Sequence, residues 1–229
     1  MPQLLQVVPV LTGIALLLGC NPQSDMTPKQ IVEQPNKFHY SERDYKVASA
    51  GIAAYVGDPR WHDPKTEING KQMQWTMGIE ALPDPEDDLG PPSISFDGLD
   101  IAVDDWREIE GFSQSWEDWK NPRTGDRFAM TYHSGHDSVS RCRIEIVARY
   151  GNLFRVVAEG GEPWTSPFTF DATFTFNGVG IMADPNATEA DVRRIIKREF
   201  PESSFELSSL DRDTEFVHAK FDLPDHDGG

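Results

Sequence analysis

Cysteine is nearly absent from this chain: Cys20 and Cys142 are the only two in 229 residues. Two thiols make one bridge at most, so a disulfide framework is excluded. No CxxC pair exists, which excludes a cysteine zinc site as well. Basic residues are also scarce. Lys and Arg number 21 against 38 Asp and Glu, leaving a formal net charge of −17. A polyanion needs a basic footprint on its partner, so nucleic acid is excluded, and attraction to an anionic bilayer fails for the same reason. Long apolar runs are missing too. The most apolar stretch, Val7 to Leu18, falls short of the roughly 20 residues that a membrane-spanning helix needs. Neither an HExxH motif nor an internal repeat occurs, which removes the common zinc hydrolases and the solenoid architectures.

What the N-terminus does contain is ordered. Residues 1–20 hold no Asp, Glu, Lys or Arg. Their apolar part has the length of a secretory h-region, roughly 7–15 residues, and ends in Leu17-Leu18-Gly19-Cys20. This segment resembles the N-terminus of bacterial lipoprotein precursors, whose lipobox reads Leu, a small or aliphatic residue, Gly or Ala, then Cys. The resemblance covers residues 1–20 alone. It implies cleavage between Gly19 and Cys20, diacylglyceryl transfer to the Cys20 sulfur, and a mature chain held outside the cytoplasm by its acyl chains. Two or more such chains give stable attachment. Ordinary signal cleavage and a plain N-terminal helix are the other readings, and Pro9 and Gly13 weaken the helix. If Cys20 is a thioether, Cys142 lacks an intramolecular partner and reads as a small buried hydrophobe.

Beyond the signal, residues 20–44 read as a polar, Pro-bearing tether and 45–229 as a single β-rich domain. Thr27, Pro28 and Gln30 predict a short helix at Thr27–Glu33. Ser41-x-x-Asp44 repeats that start signal and predicts a second helix over Tyr45 to Val56, shortened by Gly51. From residue 70 the period becomes two. Met73, Trp75, Met77, Ile79 and Ala81 share one face, predicting a half-buried strand. The phase slips at Asp97-Gly98, between Ile94/Phe96 and Leu99/Ile101/Val103, as a glycine bulge would make it. Arg141–Tyr150 and Leu153–Ala158 around Gly151-Asn152 predict a hairpin with a type II′ turn. Phe168, Phe170, Ala172, Phe174 and Phe176 predict the cleanest strand, and Val217, Ala219, Phe221 and Leu223 the last. Thr188 with Asp191, a Val192/Ile195/Ile196/Phe200 stripe and the stop at Pro201 predict a helix. Gly160-Gly161-Glu162-Pro163 reads as the one place for a subdomain boundary, near 160–167. The expected class is α+β: mainly an antiparallel sheet or sandwich, with one C-terminal amphipathic helix packed on it.

Candidate chemistry is thin. His133-x-x-His136-Asp137 lacks the third or fourth ligand of a metal site and needs a turn at Ser134-Gly135 to converge. Asp184-x-Asn186-x-Thr188 opens like a calcium loop without its glycine or its bidentate Glu, and reads as the run-in to a helix cap. Gly111-Phe112-Ser113-Gln114-Ser115 falls one glycine short of a nucleophile elbow. The pairs Glu108/Glu110 and Glu117/Asp118 show no glycosidase spacing, which exists only in space. No catalytic residue, metal or cofactor is therefore assigned. Of the 6 tryptophans, most are needed by the core. Trp106, Trp116 and Trp119 are the ones expected to form a ligand platform, because flat indoles stack on sugars and peptides. These features together imply a lipid-anchored extracytoplasmic binding or interaction protein of the bacterial envelope, without catalysis. Its partners are the membrane, through acyl chains on Cys20, and an envelope protein or glycan. The alternative is an envelope hydrolase of glycan or ester that works through Ser113 or the carboxylates.

Overall fold

The structure, a computed structural model, describes residues 27–33, 36–57, 64, 67–133, 135–161 and 165–224. Gly19, Cys20, Trp61 and Trp164 lie outside these residues. Alternation of apolar and polar side chains runs through most of the described chain, and strands follow it. β1 (Asn36–Tyr40), β2 (Arg43–Val56), β3 (Met73–Ala81) and β4 (Ser93–Phe96) form one antiparallel ladder. Short strands follow: β5 (Ser113–Trp116), β6 (Ala129–Tyr132) and β7 (His136–Ser138). β8 (Arg141–Tyr150), β9 (Leu153–Gly161) and β10 (Phe168–Ala183) are longer. β11 (Glu206–Arg212) and β12 (Val217–Asp222) come last.

All belong to one sheet of mostly antiparallel strands, ordered β5-β8-β9-β10-β1-β2-β3-β4-β6-β7, with β12 and then β11 beside the far half of β10. The sheet curls into an open half-barrel. Phe96 of β4 comes within 6.4 Å of Trp116 of β5, ring to ring, although β4 and β5 stand far apart in the strand order. Inside the curl the core is aromatic. Trp106 stacks on Phe176 at 5.0 Å, and Trp75 packs on Phe176 at 5.8 Å.

β10 controls the architecture. Phe168, Phe170, Ala172, Phe174 and Phe176 are all buried, so its phenyl face is core. Through Thr175 it pairs with β9 on one side, and up to Ala172 with β1 on the other. At Asn177-Gly178 the register shifts and Gly178 adopts φ +87. Beyond that point β12 replaces β9, while β2 lies alongside in parallel. A Cβ at position 178 would collide with the carbonyl oxygen of Phe221.

Two helices are capped as their sequences direct. α1 (Pro28–Glu33) begins with reciprocal Thr27–Gln30 bonds of 2.9–3.3 Å, lies against β8 and β9, and buries Val32 completely. α2 (Glu189–Glu199) opens on a Thr188–Asp191 capping box and buries Val192 and Ile196. Its last residue, Glu199, is a buried carboxylate that accepts Gln72 N–H at 3.0 Å and Arg198 Nε–H at 2.7 Å. A buried charge with its partners in place holds the helix end against the turn at 71–72.

The 141–161 hairpin has the expected turn: Tyr150 pairs with Leu153, and φ is positive at Gly151 (+56) but not at Asn152. Three expectations need correction. Residues 45–56 are strand, not helix. Ser41 takes φ +58 in a two-residue turn between Tyr40 and Arg43, so Ser41-x-x-Asp44 marks a hairpin and not a cap. Ile52, Ala54 and Val56 then share the buried face with period two. The tether does not reach residue 44, because β1 sits in the sheet with Phe38 and Tyr40 buried; the folded unit begins before position 45. The 160–167 stretch, of which 162–164 lie outside the described residues, does not separate two sheets: Gly160 pairs with Phe168, so β9 and β10 on either side of it are neighbours in one sheet.

Gly178→Ala combines positive-φ strain with overlap on a neighbouring carbonyl. It should lower the unfolding free energy by about 2–5 kcal/mol in urea denaturation, and a loss below about 0.5 kcal/mol would contradict the assigned role.

Candidate ligand groove beside strand β5

β5 ends the sheet, with β8 as its only neighbour among the described strands. Gly111 N–H bonds the Ile146 carbonyl at 2.8 Å, and Ile146 N–H bonds the Phe112 carbonyl at 2.9 Å. Antiparallel alternation then turns the backbone groups of Gln114 and Trp116 toward β8. Those of Ser113 and Ser115 face the free side. Both serines have exposed side chains, whereas Trp116 is buried.

Opposite this edge stands an arm formed by residues 117–128. Phe128 N–H bonds the Trp119 carbonyl at 3.0 Å, and Asn121 N–H bonds the Asp126 carbonyl at 2.7 Å. Asn121 is 1% exposed and is the arm's buried pin. Its side chain donates to the Gly98 carbonyl (3.2 Å) and to Asp100 (3.3 Å), and accepts from Arg123 N–H (2.8 Å). The Arg123 guanidinium also pairs with Asp100. At the base, Asp97 and Gly98 N–H groups share the Phe128 carbonyl at 3.1 and 3.3 Å. A Cβ on Gly98 would lie 2.7 Å from the Arg127 carbonyl oxygen. The phase slip seen in the sequence at 97–98 is thus the seat of the arm.

Between β5 and the arm runs a groove of about 660 Å³. Phe112, Trp116 and Phe128 supply its apolar surface, and Trp116 stacks on Phe128 at 4.7 Å while donating its indole N–H to the Val139 carbonyl at 3.0 Å. Asp100, Gln114, Glu117, Asp118 and Lys120 supply polar groups. Glu117, Asp118 and Lys120 form no ion pair with described residues.

The three indoles expected as a platform do not share a surface. Trp106 is 1% exposed and belongs to the core; Trp116 is 6% exposed and underlies the groove. Trp119 is 38% exposed, on another hollow of the arm with Asp97, Asp126 and Arg127. Ser113 lies in the groove, but no described histidine does. His39 pairs with Asp44, His133 with Asp87 and His218 with Asp213, at 2.9, 3.0 and 3.2 Å. The ring of His136 abuts Tyr132. Among the described residues no three His, Cys, Asp or Glu side chains converge as a metal site. Asp184 accepts Asn186 N–H at 2.9 Å in a turn leading to the Thr188 cap. Cys142 is buried, and that burial pushes its thiol pKa up, leaving it poorly nucleophilic.

One cluster joins residues that the sequence does not connect; of its members only His133 stands out there, and with other partners. Asp87 accepts the Tyr45 hydroxyl and lies 3.0 Å from His133 Nε2, with Tyr40 edge-on to the imidazole at 5.2 Å. The Tyr45 hydrogen bond, aided by Leu89 N–H and His133, holds the Asp87 carboxyl down at about 2 against partial desolvation. Burial and the same carboxylate push Tyr45 up to about 12. The trio lines neither the β5 groove nor the hollow on the arm, and it serves as a latch for the 82–92 loop.

The chain matches no family model, and no curated protein or solved structure is similar to it.

The latch titrates in a stated direction. A depressed carboxyl stabilises the fold fully above its unfolded pKa near 3.8, and this contribution is lost as pH falls through about 2. Tyr45→Phe should therefore lower the urea midpoint at neutral pH, with the gap from wild type shrinking between about pH 4 and 2. A gap that is constant or widens on acidification contradicts the latch.

Proposed function

We propose that the chain is a lipid-anchored extracytoplasmic binding protein of a bacterial envelope, presenting the groove beside β5 to a partner outside the membrane. The observation that carries the binding role is the meeting, in one groove, of a strand edge left open by the described residues, an aromatic floor, and a rim on which Glu117, Asp118 and Lys120 make no ion pair with described residues. Apolar surface flanked by a few polar groups is the usual make-up of a ligand site. Ser113 has no imidazole beside it from any described residue, which favours capture over hydrolysis. The lipobox resemblance at Leu17–Cys20 carries the anchor. Because α1 is already part of the folded unit from Pro28, acylation at Cys20 would keep the domain within about 25 Å of the headgroups. In this reading α2 is an amphipathic brace packed on the sheet through Val192 and Ile196, and takes no part in binding.

Intact mass spectrometry of membrane-extracted protein should show a chain starting at Cys20 with a diacylglyceryl thioether. Cys20→Ser should move the protein to the soluble fraction. An uncleaved start, or a free thiol at position 20 in native material, overturns the anchor.

A further inference from the structure

We propose that the groove takes an extended, basic peptide segment of a partner protein, added to the sheet as a strand alongside β5. This rests on the binding role above and names its ligand class. Three independent features point to it.

The first is the backbone. Ser113 and Ser115 turn their N–H and C=O groups away from β8, and no described group bonds them. Natural sheets guard such edges with Lys, Pro or a covering loop. Residues 113–116 read Ser-Gln-Ser-Trp and contain neither Lys nor Pro. The arm at 117–128 stands across a groove of about 660 Å³ instead of covering the edge. Strand addition is the recognition mode that such an edge supports, with main-chain bonds giving affinity and alternate side chains giving specificity.

The second is shape. An added strand places alternate side chains on the two faces of the sheet. On one face Ser113 and Ser115 are small and leave space for bulky neighbours. On the other, Trp116 and Phe128 offer a stacked apolar floor for short aliphatic side chains.

The third is charge. Glu117 and Asp118 are exposed and without ion pairs among the described residues, and Asp100 is already committed to Arg123. Lys120 is the one cation among the described groove residues, and the whole chain carries −17. Lysine or arginine on the incoming strand complements this rim. A second copy of the chain would set acid against acid, so self-pairing at this edge is disfavoured. A glycan would want exposed indoles, and the groove's indole is buried beneath Phe128.

The probe is an acetylated, amidated heptapeptide of alternating lysine and valine, added to the full mature chain in detergent. Amide hydrogen exchange at Ser113 and Ser115 should slow on addition of this peptide. It should not slow with the glutamate–valine counterpart, nor with a lysine–valine peptide N-methylated at every residue, which cannot donate to the edge in either strand direction. Ser115→Pro removes one outward N–H without touching the β8 ladder and should abolish the protection, whereas Ser115→Ala should retain it. Glu117→Gln should weaken binding by up to about fivefold. Unchanged exchange at saturating lysine–valine peptide overturns the proposal. So does equal protection by the glutamate or N-methylated peptides, or protection without peptide that rises with protein concentration, which would reveal a second copy at the edge. Failure here with an acylated Cys20 sinks the peptide and leaves the anchor standing; a free Cys20 with intact protection does the reverse.

Discussion

The close approach of the Phe221 carbonyl to a residue without a side chain, Gly178, is the contact on which this fold depends. It allows β10 to slip register midway, so that one strand serves two sets of neighbours. Before the slip β10 holds β9 on one side and, on the other, β1 as far as Ala172 and then β2 from Thr175; after it, β12 takes the place of β9 while β2 continues. β1 fits as a wedge between β10 and β2 only where those two strands have not yet met. Such a splayed junction bends the sheet, and the bend lets Phe96 of β4 reach both Phe170 of β10 and Trp116 of β5. One curled sheet then encloses its own core, with no second sheet required. The curl does not close, and an unclosed sheet must have edges. β5 is one of them. The candidate groove is therefore a consequence of how the core is made, not an addition to it.

How much of this could be read in the sequence depends on how local the cause is. β10 and the 141–161 hairpin were legible because alternation and a Gly-Asn turn are written within a few residues. The seat of the arm was legible as a phase slip at Asp97-Gly98, although nothing local says that Phe128 supplies the shared carbonyl. β2 was misread because Ser-x-x-Asp starts helices and also fits a hairpin turn. What decides it is remote: a Cβ on Gly51 would press on the Asn177 amide, so even the small residue at 51 answers to β10. β1 was hidden for the same reason, since Asn36–Tyr40 is short and both its partners matter. The indoles teach the same lesson. Trp116 and Trp119 are three positions apart on similar local sequence, yet one is buried under Phe128 and the other open to solvent, because the arm leaves the sheet between them.

Charge separates structural from available groups. Basic residues are few, and several are committed within the fold. Arg155 grips Asp171 through two bonds of 2.7–2.8 Å across β9 and β10, Arg107 holds Asp105 through bonds of 2.5–2.9 Å, and Arg198 lies on Glu199. Burial works against the Asp105 carboxylate, but Arg107 prevails and holds its pKa below the ordinary value. Each of these pairs satisfies a partly or fully buried acid that would otherwise be costly. The surplus acids, Glu117 and Asp118 among them, are left at the surface. The field that a ligand meets at the groove is thus set by what the interior has used up. Such a field acts mainly on encounter rate and on which partners are rejected.

The same surplus bears on the proposed anchor. A chain of net charge −17 is repelled by an anionic leaflet. Covalent acyl chains overcome the repulsion only if the tether lets the folded unit stand off. At physiological salt the Debye length is about 8 Å, so repulsion fades within two or three such lengths. The stretch between Cys20 and α1 reaches at most about 25 Å, which matches that distance and little more. Shortening it should press acidic surface into the headgroup field; lengthening it gains no further relief. A short tether and a strongly acidic domain are therefore compatible, and under the proposed anchoring they would together keep the β5 edge outside the bilayer interface, in water, where the proposed basic segment could reach it.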